Sequence, residues 1–251
     1  MERRAFADRA EYMGDDDFYK VPVDMLTNDV YLQERMKNYD PTKASPSSVI
    51  KPGKLSGVES DQTTHVDVID KDGNAVSVTT TLNDLYGSKV IVGGGGFFMN
   101  DEMDDFSIKP GVPNMFGAVG GEANAIVAGK RMLSSMTPTI VLKNNEPYII
   151  VGTPGGTTIP TSVFQTLVDI LEFGMSTEDA VNKPKFHHQW LPDTLDVEKG
   201  FPIDIQDNLK KMGYAIKQRA GIGRTEVIKI LPGKKIEAVA DNRGEDDAEG
   251  W

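Results

Sequence analysis

Residues 65–80 constrain the fold of this chain more than any other stretch. His65 to Asp70 alternates polar and apolar side chains, with valines at 66 and 68, and Ala75 to Thr80 alternates in the same way. Alternation at period two sends successive side chains to opposite faces of a strand, and no helix can bury such a pattern on one side. Between the two runs stands Lys71-Asp72-Gly73-Asn74, where Asp-Gly supplies the positive-φ positions of a tight hairpin turn. An antiparallel hairpin is therefore expected. Thr63 and Thr64 stand at its mouth, and counting through the turn brings Thr81 back close to Thr63.

Around this hairpin the chain divides near Thr63. Phe6, Ala10 and Met13 fall at helical spacing and predict a helix from Arg3 to Met13, stopped by Gly14. A short helix is expected over Asn28–Met36. From Asn38 to Asp61 the chain is rich in Pro, Ser, Lys and Gly, which reads as an extended tail unable to build a core by itself. After the hairpin, Gly93 to Gly96 form a loop. Strands are expected over Pro138–Lys143 and Tyr148–Gly152, around Asn144-Asn145. An apolar helix covers Thr161–Phe173, ended by Gly174. Ser176 caps a short helix with Glu178 and Asp179 in its first turn. Another helix covers Ile203–Met212, closed by Gly213, and strands lie near Tyr214–Gln218, Glu226–Leu231 and Ile236–Ala240. Two strand groups with helices between them suit a layered α+β arrangement.

Composition removes several functions. A net charge of -11 repels nucleic acid and anionic membrane, so neither is expected as a partner. The absence of cysteine excludes disulfides, thiol catalysis and cysteine-ligated zinc, and three histidines, two of them adjacent, leave little for metal chemistry. No apolar run approaches the length of a membrane span, and Met1-Glu2-Arg3-Arg4-Ala5-Phe6 lacks the apolar core of a signal peptide.

Five segments carry candidate chemistry. They are Glu59-Ser60-Asp61-Gln62-Thr63-Thr64-His65, Thr79-Thr80-Thr81-Leu82-Asn83, Asn100 to Phe106, Leu133 to Thr139 with Ser134-Ser135, and the loop Thr153-Pro154-Gly155-Gly156. Singly each has a plain structural reading: strand threonines favoured by β-propensity, a solvated acidic loop, a polar turn, a glycine turn. The strand–Gly-Gly–helix segment lacks the Gly-Lys-Ser/Thr of a phosphate loop. In this order, over nearly the whole chain from Arg3 to about Asp241, the set resembles the C-terminal part of γ-glutamyltranspeptidase (glutathione hydrolase) precursors, in the N-terminal-nucleophile hydrolase superfamily.

That resemblance implies a four-layer αββα sandwich, incomplete on its N-terminal side. Residues 1–62 would be the end of the large subunit and residues 63–251 the small-subunit catalytic domain. It implies self-cleavage between Gln62 and Thr63, with Thr63 then the catalytic nucleophile. A threonine hydroxyl needs a base, and a freed α-amine, with a pKa near roughly 7.7–8.0, can serve as its own. Thr81 would assist the nucleophile, and Gly155 and Gly156 would donate N–H groups to the oxyanion. Asn83, Glu102 and Asp105 would accept from the substrate α-ammonium, and Ser134 and Ser135 would hold its α-carboxylate. Pro110 to Gly121 would be a lid, with Phe116 where the family usually carries tyrosine. His187-His188 is read as structural, and the end of the chain, Ala240-Asp241-Asn242-Arg243, departs from the family's usual Asp-Pro-Arg. The implied donor is glutathione or another γ-glutamyl compound, the acceptor an amino acid, a peptide or water, and no cofactor or metal is needed. The missing large-subunit portion would be a partner, the setting periplasmic or secreted, and this chain alone weakly active or inactive. Two other readings stand beside it: a related acylase acting on cephalosporin side chains or poly-γ-glutamate, and a non-catalytic binding or assembly fragment.

Overall fold

In the structure, a computed structural model describing residues 1–50, 63–115 and 117–250, the hairpin forms as its alternation requires. β1 (Thr63–Ile69) and β2 (Ala75–Thr81) pair antiparallel, with Thr63 opposite Thr81 and Ile69 opposite Ala75. The turn is held by Asp70, whose carboxylate accepts from the backbone N–H groups of Asp72 and Asn74 and from the Asn74 side chain. Its two faces are the reverse of a simple amphipathic hairpin. The polar set Thr63, His65, Asp67, Ser77, Thr79 and Thr81 is the more buried one, while Val66, Val68, Val76 and Val78 are 41–51% exposed.

The described residues fall into two units that interleave along the chain. One comprises Met1–Glu59, Asp101–Ser134 and His187–Gln218; the other comprises Ser60–Asn100, Ser135–Phe186 and Arg219–Trp251. In the second unit the hairpin lies on a four-stranded antiparallel sheet built from β3 (Thr139–Lys143) and β4 (Glu146–Gly152), with two strands of the last third of the chain completing the order β3-β4-β8-β9. Those two are β8 (Glu226–Ile230) and β9 (Ile236–Val239). Side chains alternate through β4. Ile149 and Val151 pack with Val163, Ile170, Ala180 and Val181 of α4 (Thr158–Leu171) and α5 (Thr177–Asn182). Gly152 meets the hairpin instead. The layers of this unit are thus hairpin, sheet and helices, an α+β sandwich. Ser176 caps α5 as expected, accepting from the Asp179 N–H. α4 begins three residues before the expected start. Pro160 falls in its first turn, where a missing N–H costs nothing, so proline there marks an entry to the helix and not a barrier.

The other unit carries α1 (Glu2–Tyr12), α2 (Val23–Leu26), α3 (Asp29–Met36) and α6 (Ile203–Lys211). It also holds the sheet β5-β6-β7, from β5 (Phe186–His187), β6 (Leu195–Glu198) and β7 (Ile216–Arg219). Asn28 caps α3 by accepting from the Val30 N–H, and Gly213 follows α6 with φ 97°. The short β5 and β6 are not anticipated by the alternation, because two to four residues carry too little of it. Phe6, Ala7, Ala10, Ile50, Val119 and Trp190 form the core. Of the extended tail expected over 38–61, residues 38–50 are described and are anchored, while 51–61 lie outside the described residues. Trp190 Nε1 donates to the Ile50 carbonyl at 2.8 Å, Ser47 donates to the Trp190 carbonyl, and the Ala44 N–H donates to the Met212 carbonyl. These residues build no core alone, yet they complete one supplied by α1 and Trp190.

Candidate active site

Thr63 opens β1 beside Thr81, and both border a cleft of about 370 Å³ also lined by Leu82, Leu85, Tyr86 and Arg224. Thr81 Oγ1 accepts from the Asn83 N–H at 2.9 Å. Asn83 is buried and adopts φ 75°, a left-handed conformation that asparagine tolerates better than most residues. The strand end therefore ties Thr63, Thr81 and Asn83 into one short stretch of structure.

Gly155 and Gly156 join β4 to α4, with φ of 135° and 56°. A Cβ at Gly155 would sit 2.4 Å from Thr158 Oγ1, so only glycine fits there. The loop is braced from below. Thr158 Oγ1 donates to the Gly155 carbonyl at 2.7 Å, and Thr153 Oγ1 accepts from the Arg224 N–H at 2.7 Å. Ser135 lies in this same unit.

Glu102, Asp105 and Ser134 belong to the other unit. Glu102 and Asp105 share a single 3₁₀ turn, Glu102–Asp105. Burial, aided by the adjacent Asp105, pushes Glu102 up to about 7. Burial likewise pushes Asp105 up to about 6, against the pull of the Arg9 guanidinium. Two carboxyls raised together make a site that gains from an arriving cation. Asn124, which no motif singles out, links this turn to the serine segment. Its Nδ2 donates to the Asp105 carbonyl at 2.8 Å and its Oδ1 accepts from the Leu133 N–H at 2.9 Å. Arg131 does not point to a substrate role, since it pairs with Asp15 at 2.6 Å. Gln62 and Phe116 lie outside the described residues. In the expected lid, the Met115 N–H donates to Asp104 Oδ2 at 2.9 Å.

The two adjacent histidines are buried and point to different partners: His187 to Gln189, His188 to Arg3 and Asp193. Among the described residues no group of three His, Cys, Asp or Glu side chains is placed to hold a metal, and no helix is long and apolar enough to cross a membrane.

A hydroxyl residue opening the hairpin of a layered α+β sandwich, with a glycine loop at the end of the facing sheet, is the arrangement expected of the N-terminal-nucleophile hydrolase class. The sequence profile described as "Gamma-glutamyltranspeptidase" matches residues 1–251, and the chain belongs to that family. It is 48% identical over 246 residues to the glutathione hydrolase proenzyme of Escherichia coli K12, a match covering 98% of this chain and 42% of the relative. The chain thus spans less than half the length of this relative. A solved mutant gamma-glutamyltranspeptidase from Helicobacter pylori is 52% identical with a TM-score of 0.70, covering 72% of this chain and all of that one. A cephalosporin acylase from Bacillus halodurans superposes with a TM-score of 0.82 at 26% identity, covering 99% of this chain and 43% of that one.

Proposed function

We infer that this chain carries the nucleophile-bearing part of a γ-glutamyl transferase and hydrolase acting on glutathione and related γ-glutamyl amides. The observation that carries this reading is the position of Thr63 at the open end of β1, opposite Thr81 and bordering a cleft, in a chain matched by the family along its whole length. In the first step Thr63 Oγ attacks the Gln62 carbonyl and the peptide C–N bond breaks, which frees the Thr63 α-amine and leaves the Gln62 acyl group on Oγ as an ester. Water hydrolyses that ester, restoring the hydroxyl and releasing the Gln62 carboxylate. That amine then takes the hydroxyl proton as Oγ attacks the substrate γ-carbonyl. Gly155 and Gly156 N–H groups hold the oxyanion, each worth about 2.7–4 kcal/mol in such sites. The leaving amine departs protonated, leaving a γ-glutamyl-threonine ester that water or an acceptor amine resolves. Glu102 and Asp105, with Asn83, receive the substrate α-ammonium; Ser134 and Ser135 receive its α-carboxylate. The precursor portion upstream of this chain is the partner that completes the substrate site, no cofactor takes part, and the setting is periplasmic or secreted.

The acylase reading draws on the likeness to the cephalosporin acylase, and a donor panel separates the two. With the completed precursor, a γ-glutamyl anilide should be turned over at least roughly tenfold faster than a glutaryl anilide, which lacks the α-ammonium and so loses one charge-assisted hydrogen bond. This chain alone should show little or no turnover. Equal use of the two anilides would overturn the γ-glutamyl assignment in favour of the acylase.

A further inference from the structure

We propose that His65, Asp67 and Thr79 form a buried positioning network that fixes the separation between the Thr63 strand and the Gly155–Gly156 loop, a role that rests on the nucleophile reading above. The three residues stand on the inner face of the hairpin, directly behind its mouth. Thr63 and Thr81 make the first inward rung, His65 and Thr79 the second, Asp67 and Ser77 the third. His65 Nδ1 lies 2.8 Å from Thr79 Oγ1, and Nε2 lies 2.9 Å from Asp67 Oδ1. Both ring nitrogens are engaged, so the imidazole cannot rotate without breaking a bond. The proposed network places the ring proton on Nε2, as donor to the Asp67 carboxyl oxygen. The His65 and Asp67 side chains are 0% and 2% exposed.

The ring is seated against β4. A Cβ on Gly152 would fall 2.0 Å from His65 Cε1, so the imidazole fills the space that a side chain at 152 would take between the two sheets. Gly152 is the last residue of β4, and the chain continues through Thr153 and Pro154 into Gly155. One rigid ring therefore spans from the rung behind Thr63 to the strand end that launches the glycine loop. Ser77 adds a longer tie, its Oγ lying 3.5 Å from the Val151 carbonyl oxygen. Apolar residues of similar volume would fill such a gap at least as stably. What a fully engaged imidazole adds is a single geometry, where aliphatic side chains repack with little penalty. Catalysis of the proposed kind needs that, because the nucleophile sits on one layer and the oxyanion donors on the other.

The test compares the wild-type chain with Asp67→Asn, His65→Gln and, as control, Val66→Thr on the outer face of the same strand. By ¹⁵N NMR the wild-type His65 ring should be protonated at Nε2, with a slowly exchanging ring proton. Asp67→Asn should lose that signature and shift or broaden the Gly155 and Gly156 amide signals. His65→Gln, which keeps one N–H towards Asp67, should perturb those amides less. Val66→Thr should leave them in place. Scission of the Gln62–Thr63 bond should slow by up to about 100-fold in Asp67→Asn, as a displacement near 1 Å does, with the urea midpoint close to wild type. Unmoved glycine amides in both network variants, or wild-type scission in Asp67→Asn after the ring signature is lost, would make His65 an ordinary core residue and overturn the proposal. A wild-type chain that never cleaves counts against the nucleophile reading instead, and the amide signals still decide the network. Should His65→Gln fail to fold, Asp67→Asn, which keeps the side chain's shape, decides alone.

Discussion

Glu226 offers a prediction whose sign and size both follow from its surroundings. It opens β8 opposite Gly152, and its Oε2 is buried with no hydrogen-bond partner among the described residues. Burial, then the charges of Asp246 and Asp241, hold its carboxyl at about 8 against an ordinary 4.5. The unfolded chain gives up this proton above pH 4.5 while the folded chain keeps it. This contribution is therefore fully present below pH 4.5 and is lost progressively as the pH rises from there through about 8. At about 1.4 kcal/mol per pH unit the full effect would approach 5 kcal/mol; the side chain is only partly buried, and solvent screening reduces this to about 2 kcal/mol. Glu226→Gln removes the ionisation and keeps the shape. Urea unfolding, extrapolated to water, should find the two proteins within about 0.5 kcal/mol of each other at pH 5, with the variant more stable by about 2 kcal/mol at pH 9. A difference that stays constant between pH 5 and 9, or a variant less stable at pH 9, would refute the placement of this carboxyl among Asp246 and Asp241.

Further outcomes follow from the same structure. Trp190→Ala removes the largest side chain of its core and the donor to the Ile50 carbonyl; it should lower stability by about 3–5 kcal/mol and open residues 38–50 to limited proteolysis. Gly155→Ala sets a Cβ against Thr158 Oγ1 at positive φ; it should cost about 1–3 kcal/mol by urea unfolding and abolish turnover of γ-glutamyl anilide by the completed precursor. Glu102 at about 7 and Asp105 at about 6 must be ionised to hold an ammonium, so the KM of a γ-glutamyl donor should fall as the pH rises from 5.5 to 8. Asp105→Asn should raise KM and flatten that profile; a pH-independent KM in the wild type would remove these carboxyls from the ammonium site.

The hairpin was legible because its signals are local: alternation of period two, an Asp-Gly turn, and therefore a register that sets Thr81 against Thr63. Which face turns inward was not legible. Alternation separates Val66 and Val68 from His65 and Asp67, and only the sheet beneath decides that the polar set is covered. The order β3-β4-β8-β9 joins strands from distant parts of the chain, and no local pattern encodes such pairing. Glu102 and Asp105 stand three residues apart, a spacing that one turn brings together. Asn124 acts through two backbone groups, on Asp105 and Leu133, and such a bridge leaves no sequence signature. Neither the start of α4 at Thr158, three residues before the expected one, nor the anchoring of the segment up to Ile50 was legible, since Pro, Ser and Lys say nothing of a tryptophan elsewhere in the chain.

Whether Thr63 is an armed nucleophile can be read from intact mass and N-terminal sequencing of the purified chain. Two fragments are expected, one ending at Gln62 and the other beginning Thr-Thr-His-Val-Asp, with Thr63→Ala remaining whole. A single species at full mass under conditions where the chain is folded, or cleavage that persists in Thr63→Ala, would contradict it.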